Sequence, residues 1–127
     1  MKFLLLFVLS TSAFATTYVC PPEITSDQKI LNVPKDWKVE EESMNARQKL
    51  EHISFYNGPV DDGATLAPTI ENGKSVWTFD KEDKRGNYLA CVYRMTYMLL
   101  VKELKGVTHC EVEYPEKSTI PKSINCK

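Results

Sequence analysis

Residues 87–114 read NYLACVYRMTYMLLVKELKGVTHCEVEY and contain three strand-like segments separated by turns. The first, residues 87–94, is apolar on both faces, which is typical of a central strand. The second, residues 97–104, follows a tight turn, and its apolar part (97–101) is predicted to be a buried strand. The third alternates strictly. One of its faces carries His109, Glu111 and Glu113, and the other carries Cys110, Val112 and Tyr114.

Alternation of period two continues on both sides of this stretch. Residues 75–80 place Trp77 and Phe79 on one face, and residues 52–56 alternate again before the turn Asn57-Gly58-Pro59. At the C-terminal end, Ile120, Ile124 and Cys126 share a face in a last short strand. Glycine-containing turns separate these segments. We therefore predict a mostly β fold, either a single antiparallel meander sheet or a small open barrel.

The N-terminal half is less regular. Residues 24–33 could hold one edge strand. Residues 40–50 have a helix-forming composition but too few apolar side chains for an amphipathic helix, so a charged loop or a short exposed helix is predicted there. The segment 57–69 has no strand or helix period and is predicted to be a loop.

Four cysteines, Cys20, Cys91, Cys110 and Cys126, predict two disulfides, because an even count in a small exported chain is typical of a disulfide framework. No Cys-x-x-Cys pair supports the competing zinc site. Cys110 and Cys126 occupy core-facing positions of the last two strands, which a short connection should place side by side. That leaves Cys20 for Cys91. We predict the pairs Cys110–Cys126 and Cys20–Cys91.

The N-terminus has the pattern of a cleavable signal peptide. Lys2 is followed by an apolar run at 3–9 and by the small-x-small ending Ala13-Phe14-Ala15. This run is much shorter than the roughly 20 apolar residues of a membrane-spanning helix, and the residues before Cys20 do not form a lipid-attachment motif. We predict a signal peptide at 1–15, a single β-rich domain at 16–127, and no membrane anchor.

Charge and motifs argue against nucleic-acid binding and catalysis. The whole chain has a net charge of −1, whereas nucleic-acid binders show a strong basic excess. His52 and His109 are the candidate acid or base residues, yet both lie in strands where an exposed histidine needs no catalytic role. Asp61-Asp62 lacks the spaced ligands of a calcium loop. The sequence predicts no catalytic residue, no metal site and no cofactor.

Binding is the remaining class of function. The 57–69 loop combines Pro59 and Pro68 with two adjacent carboxylates, and it could either pack over one end of the sheet or enter a cleft of a partner. The predicted partner-binding residues are Tyr56, Asp61, Asp62 and Leu66, with the 80–87 turn as the next candidate. An alternative is a cell-envelope glycan-binding module, with Trp37 and Tyr56 as an aromatic platform, or an inhibitor of a lysozyme-type enzyme.

A set of cysteine, tryptophan and Gly-Pro positions resembles a family of small exported proteins of Gram-negative bacteria. The matching stretches are Cys20-Pro21, Trp37, 53–59, 66–68, 77–79, 88–93, 110–112 and 124–126. The family is similar to periplasmic immunity proteins that neutralise type VI secretion effectors of the L,D-transpeptidase-like, cell-wall-targeting kind. The resemblance implies a periplasmic inhibitor, monomeric when free, whose partner is a secreted cell-wall-modifying enzyme. It implies no functional residue in particular.

The export pattern generates a first prediction. Mature protein purified from the periplasm should begin at Thr16 and carry no lipid on Cys20, because the signal peptide ends at Ala15 without a lipid-attachment motif. Intact-mass spectrometry measures both features. A mass that includes residues 1–15 or a diacylglyceryl group would contradict the prediction.

Overall fold

The structure is a computed structural model that describes residues 15–41 and 47–127. Residues 1–14, with most of the predicted signal peptide, and residues 42–46 lie outside the described part. The described residues contain nine strands. They are β1 (Thr16–Tyr18), β2 (Glu23–Thr25), β3 (Arg47–Asn57), β4 (Thr69–Glu71), β5 (Lys74–Thr78), β6 (Asn87–Tyr93), β7 (Leu99–Glu103), β8 (His109–Glu113) and β9 (Ser123–Cys126).

The strands form two antiparallel sheets. The first sheet has the order β1-β9-β8-β5-β4, and the second has the order β2-β3-β6-β7. The predicted fold class, mostly β with two disulfides, is confirmed. The meander exists only as local hairpins such as β6–β7 and β8–β9. The chain changes sheet between β5 and β6 and again between β7 and β8, so the second and third strands of the 87–114 stretch are not neighbours.

The hydrophobic core lies between the two sheets. Phe55 of the second sheet, which is fully buried, packs on Trp77 of the first, with ring centroids 4.5 Å apart. Phe79 also contacts the Phe55 ring, at 5.6 Å. Each buried ring removes a large apolar area from water, which is the main favourable term for a small domain. Trp77 and Phe79, which the period of two placed on one face, both face the interior.

Both predicted disulfides are confirmed. Cys110 and Cys126 are register partners on β8 and β9, which explains why their facing positions predicted the bond. Cys20 joins Cys91 of the central strand β6 and fastens the N-terminal segment to the second sheet. In the chain-entropy model, loops of these two lengths stabilise the fold by about 3 and 4.5 kcal/mol.

The prediction of a charged loop or short helix at 40–50 was wrong from Arg47 onwards, because β3 begins there. Gln48 and Leu50 point inward, and so do Ile53 and Phe55, so the inward phase shifts by one residue between the two pairs. A bulge at Glu51 causes this shift. Leu50 pairs with Tyr93 of β6 and His52 pairs with the next residue, Val92, so Glu51 is left without a register partner on β6. Pairing with β2 and β6 overrides the local helix propensity.

The prediction that residues 97–101 form a buried strand was also wrong. β7 covers 99–103 and lies at the edge of the second sheet, where β6 is its one partner among the described strands. Tyr97 is fully exposed, and Leu100 and Val101 are 42% and 46% exposed.

Two smaller differences occur elsewhere. The edge strand predicted within 24–33 is confined to β2, and Ile120 is 44% exposed and precedes β9 instead of sharing its buried face.

The two tryptophans provide a matched stability test. Trp77→Ala should lower the free energy of unfolding by about 3–5 kcal/mol, because the indole is buried against Phe55. Trp37→Ala should change it by less than about 0.5 kcal/mol, because Trp37 is 75% exposed. Chemical denaturation of both variants measures the difference. Equal effects would contradict the packing described here.

Candidate partner-binding surface

The 57–69 loop folds back along the edge of β3 and is fastened at its base. The amide of Asn57 donates to the Ala64 carbonyl at 3.0 Å, and the amide of Leu66 donates to the Phe55 carbonyl at 2.8 Å. Between these bonds Tyr56 forms an isolated antiparallel bridge with Thr65. β2 pairs only with the first residues of β3. The loop therefore provides hydrogen-bond partners for backbone groups near the end of β3 that β2 does not reach.

The end of this loop is a single 3₁₀ turn at Val60–Asp62, closed by Gly63 in the left-handed conformation (φ 67°). Asp61 and Asp62 are both exposed there. The Asp62 carboxylate accepts a hydrogen bond from the Arg85 guanidinium, with Oδ2 and Nη2 3.2 Å apart. Among the residues that the structure describes, Asp61 has no such partner, so its carboxylate faces solvent.

The 80–87 turn packs beside this loop, which the sequence did not indicate. The Asn57 side-chain amide donates to the Asp83 carboxylate at 2.9 Å, and the Gly58 amide donates to the Gly86 carbonyl at 2.7 Å. The Asp83 carboxylate also accepts the backbone amide of Arg85. We call the two segments, 57–69 and 80–87, the two-loop tip. It lies at the end of the second sheet where β3 ends and β6 begins.

Hydrogen bonding holds Asp83 in its ionised form. The Asn57 side chain, followed by the Arg85 amide and the Arg85 charge, lowers the pKa of Asp83 below its ordinary value, while desolvation acts in the opposite direction. A lowered pKa in the folded state stabilises the fold above the unfolded-state pKa, and this contribution is lost as the pH falls through the folded-state value. The contacts of the two-loop tip are therefore complete at neutral pH.

The structure brings the four predicted partner-binding residues together, although in different settings. Asp61 and Asp62 lie at the exposed end of the tip. Leu66 is partly buried against the core, and its carbonyl accepts the indole N–H of Trp77 at 3.0 Å. Tyr56 is half-buried and lies directly opposite Tyr88 on β6. Leu66 thus fastens the loop, whereas the two aspartates are its accessible groups.

The outer face of the second sheet is a feature that the sequence interpretation did not single out. Its side chains form three rows across β3, β6 and β7. The rows are His52-Val92-Leu99, Ser54-Ala90-Val101 and Tyr56-Tyr88-Glu103. Glu103 is the one carboxylate among the nine, and Ala90 at the centre is fully buried. The outer face of the first sheet instead carries groups such as Thr17, His109, Glu111, Glu113 and Asn125.

Solvated sheet faces are usually polar and charged, so the outer face of the second sheet is unusual: it has one carboxylate beside two tyrosines and four aliphatic side chains. Tyrosine and aliphatic residues with few charges are typical of protein interfaces. The pattern at 87–94, apolar on both faces, predicted a central strand, and β6 does lie between β3 and β7. The same pattern also fits a strand with one face on the core and the other available to a partner.

The two histidines do not form a site with the other predicted residues. His109 Nε2 is 3.1 Å from Glu111 Oε1 on the same strand face, and this hydrogen bond is the main cause of the lowered pKa of Glu111. His52 lies half-buried on the outer face of the second sheet. Within residues 15–41 and 47–127, no group of three or more His, Cys, Asp or Glu side chains could hold a metal ion.

Two glycines in the tip allow a test of its packing. Gly58 and Gly63 both have positive φ angles, so Gly63→Ala should cost about 1 kcal/mol of unfolding free energy. Gly58→Ala should cost about 0.5–1 kcal/mol more, because its Cβ would approach the Arg85 guanidinium to 2.9 Å and displace it from Asp62. In an Arg85→Ala background this excess should vanish. Denaturation of the four variants measures the coupling, and a persistent excess would contradict it.

Comparison with known proteins identifies the family. Residues 43–127, about two thirds of the chain, match the family model described as "Type VI secretion system Tli immunity protein". No curated protein and no solved structure gave a match. None of the described helices is long and apolar enough to cross a membrane. The matched range includes the two-loop tip and seven of the nine strands, and the chain belongs to the type VI secretion system Tli immunity protein family.

Proposed function

We propose that this protein is a periplasmic immunity protein that binds its cognate effector and inactivates it by covering the active site. Family membership supports the immunity role. The observation that carries the mode of action is the two-loop tip, whose exposed end presents Asp61 and Asp62 while backbone hydrogen bonds hold its base. An inhibitor of this kind needs no catalytic group of its own.

The construction of the tip favours tight binding. Association costs free energy wherever a loop must be ordered, and a loop that is already fastened avoids most of that cost. The fastening comes from the Trp77 indole, the Phe55 carbonyl and the Asp83 carboxylate, none of which is needed for contact with a partner. The solvent-facing carboxylate of Asp61 can then accept hydrogen bonds from donors that line the effector's cleft.

The contact extends beyond the tip. Inhibitory interfaces of the standard size bury about 1,600 Å² in total, more than one loop supplies, and their affinity depends on a few anchors, often tyrosine. Tyr56 and Tyr88 lie on the outer face of the second sheet, in the row of side chains next to the tip. We propose that the effector covers the tip and this neighbouring face together, with Tyr56 as an anchor and Leu66 at the base of the loop.

The compartment and the target class complete the proposal. Two disulfides and the signal-peptide pattern at 1–15 support an oxidising, periplasmic location. The resemblance of the sequence to immunity proteins of L,D-transpeptidase-like effectors supports a cell-wall-modifying enzyme as the partner. The effector then acts in the same compartment in which this protein folds.

Periplasmic co-expression tests the proposal. Cells that export the effector encoded beside this protein should stop growing, and co-expression of this protein should restore growth. Altered cross-linking of isolated cell walls, reversed by the immunity protein, would identify the target class. Failure of the wild-type protein to protect would refute the immunity role, whereas protection without any change in the cell wall would refute only the target.

The tip itself is tested by a double substitution. Asp61→Ala with Asp62→Ala should weaken the affinity for the effector at least about tenfold, because both accessible carboxylates of the tip are removed. Asp27→Ala with Glu116→Ala is the matched control, since it removes the same charge from exposed positions outside the tip. Calorimetric titration measures both affinities. Equal affinities of the two variants would exclude the tip as the inserting element.

A further inference from the structure

The two sheets have four edge strands, and one of them differs from the rest. β1, β2 and β4 have three residues each, which leaves little backbone for another chain to pair with. β7 has five residues and occupies the edge of the second sheet beyond β6. No strand of the described part pairs with its outer side. Natural proteins usually shorten, charge or cover such an edge.

The unpaired backbone groups of β7 can be assigned. The Leu104 amide donates to the Asn87 carbonyl at 2.8 Å, so this residue pair is a hydrogen-bonded one. Hydrogen-bonded and non-hydrogen-bonded pairs alternate along an antiparallel ladder. Leu100 and Lys102 therefore bond to β6, and the N–H and C=O groups of Leu99, Val101 and Glu103 point away from the sheet.

The side chains around this edge are apolar and exposed. Leu100 and Val101 are 42% and 46% exposed, and Met98, just before the strand, is 60% exposed. Beside the strand lies a groove of about 190 Å³, whose walls include Val19 and Pro21 as well as Leu100. Val19 itself is 82% exposed. A row of free backbone groups next to an apolar groove is the arrangement that domains use to bind an added strand.

We propose that β7 is the docking strand for an extended segment of the cognate effector, which joins the second sheet at this edge. This inference rests on the proposed immunity function and assigns the anchoring contact of the same interface. The segment places an aliphatic side chain in the groove beside Leu100 and a carboxylate near Lys102, the exposed cation on the same face of β7. Its backbone pairs with Leu99, Val101 and Glu103.

The effector fits this edge better than a second copy of the chain does. The self-pairing register that uses all five residues of β7 is centred on Val101, and it sets Lys102 of one copy opposite Leu100 of the other. Lys102 already lines this groove, so self-pairing would bring a second ammonium group to the same face with no carboxylate beside it, and like charges at such positions are unfavourable. The edge is also continuous with the outer face of the second sheet, because Val101 lies opposite Ala90. An effector seated on the two-loop tip and that face reaches β7 directly.

Proline at position 101 tests the strand addition. Val101→Pro removes an outward N–H and places a ring against the incoming strand, while the bonds from Leu100 and Lys102 to β6 remain. It should weaken binding of the effector neutralised in the co-expression assay about tenfold or more. Val101→Thr, which keeps both the N–H and the side-chain shape, should bind the effector more tightly than Val101→Pro, because only the proline removes the backbone donor.

Hydrogen exchange supplies a readout that does not depend on the folding of a variant. In the wild-type protein, effector binding should slow exchange of the Leu99, Val101 and Glu103 amides, whereas the Leu100 and Lys102 amides are already protected by β6. Two results would overturn the inference and leave the immunity function intact. In the first, the wild-type protein binds the effector but the Val101 amide gains no protection. In the second, a folded Val101→Pro variant binds the effector as tightly as the wild type does. A dimer of the free protein that Val101→Pro abolishes would assign the edge to a second copy and also overturn it. Absence of wild-type binding would refute the proposed function itself.

Discussion

The contact between Phe55 and Trp77 is the interaction on which the rest of the structure depends. Phe55 comes from the second sheet and Trp77 from the first, so the contact of their tilted rings, with centroids 4.5 Å apart, closes the core between the sheets. Both residues also bind Leu66. The Leu66 amide donates to the Phe55 carbonyl, and the Trp77 indole N–H donates to the Leu66 carbonyl. The same pair therefore holds the sheets together and sets the base of the 57–69 loop. Loss of either ring would loosen the fold and the proposed inhibitory loop at once.

Strand pairing places the second half of the two-loop tip. β3 ends at Asn57 and β6 begins at Asn87, and because these strands are antiparallel neighbours their ends lie side by side. The 80–87 turn is thus brought against residues of the 57–69 loop that lie more than 20 positions earlier in the chain. Asp83 and Arg85 then fasten Asn57 and Asp62 through side-chain hydrogen bonds. Charged residues that would be an ordinary solvated turn in isolation here hold a neighbouring loop in position.

The second sheet combines three features that a protein-binding domain needs: a fastened tip, an apolar outer face and an open edge. The first sheet has a polar outer face and three-residue edge strands, and it serves mainly to cover the core. The Cys20–Cys91 disulfide fixes Val19 and Pro21 beside β7, so it also builds one wall of the groove at the open edge. We infer a division of roles in which the tip blocks the effector and the edge strand anchors it.

The sequence by itself determined the fold class, the central strand at 87–93, which side chains share a face in β5 and β8, and the Cys110–Cys126 pair, because a period of two fixes which side chains share a face. The Cys20–Cys91 pair then followed by elimination. It also identified the 57–69 loop as a candidate binding element.

Only the tertiary structure decided what covers each face. The apolar run at 97–101 indicated a strand, but it could not indicate that this strand lies at a sheet edge with its side chains exposed. The bulge at Glu51 broke the period and concealed the first residues of β3 within a helix-forming composition. The contact between the two loops of the tip, and the open edge of β7, follow from which strands become neighbours, and pairing between distant segments leaves no local signal in the chain.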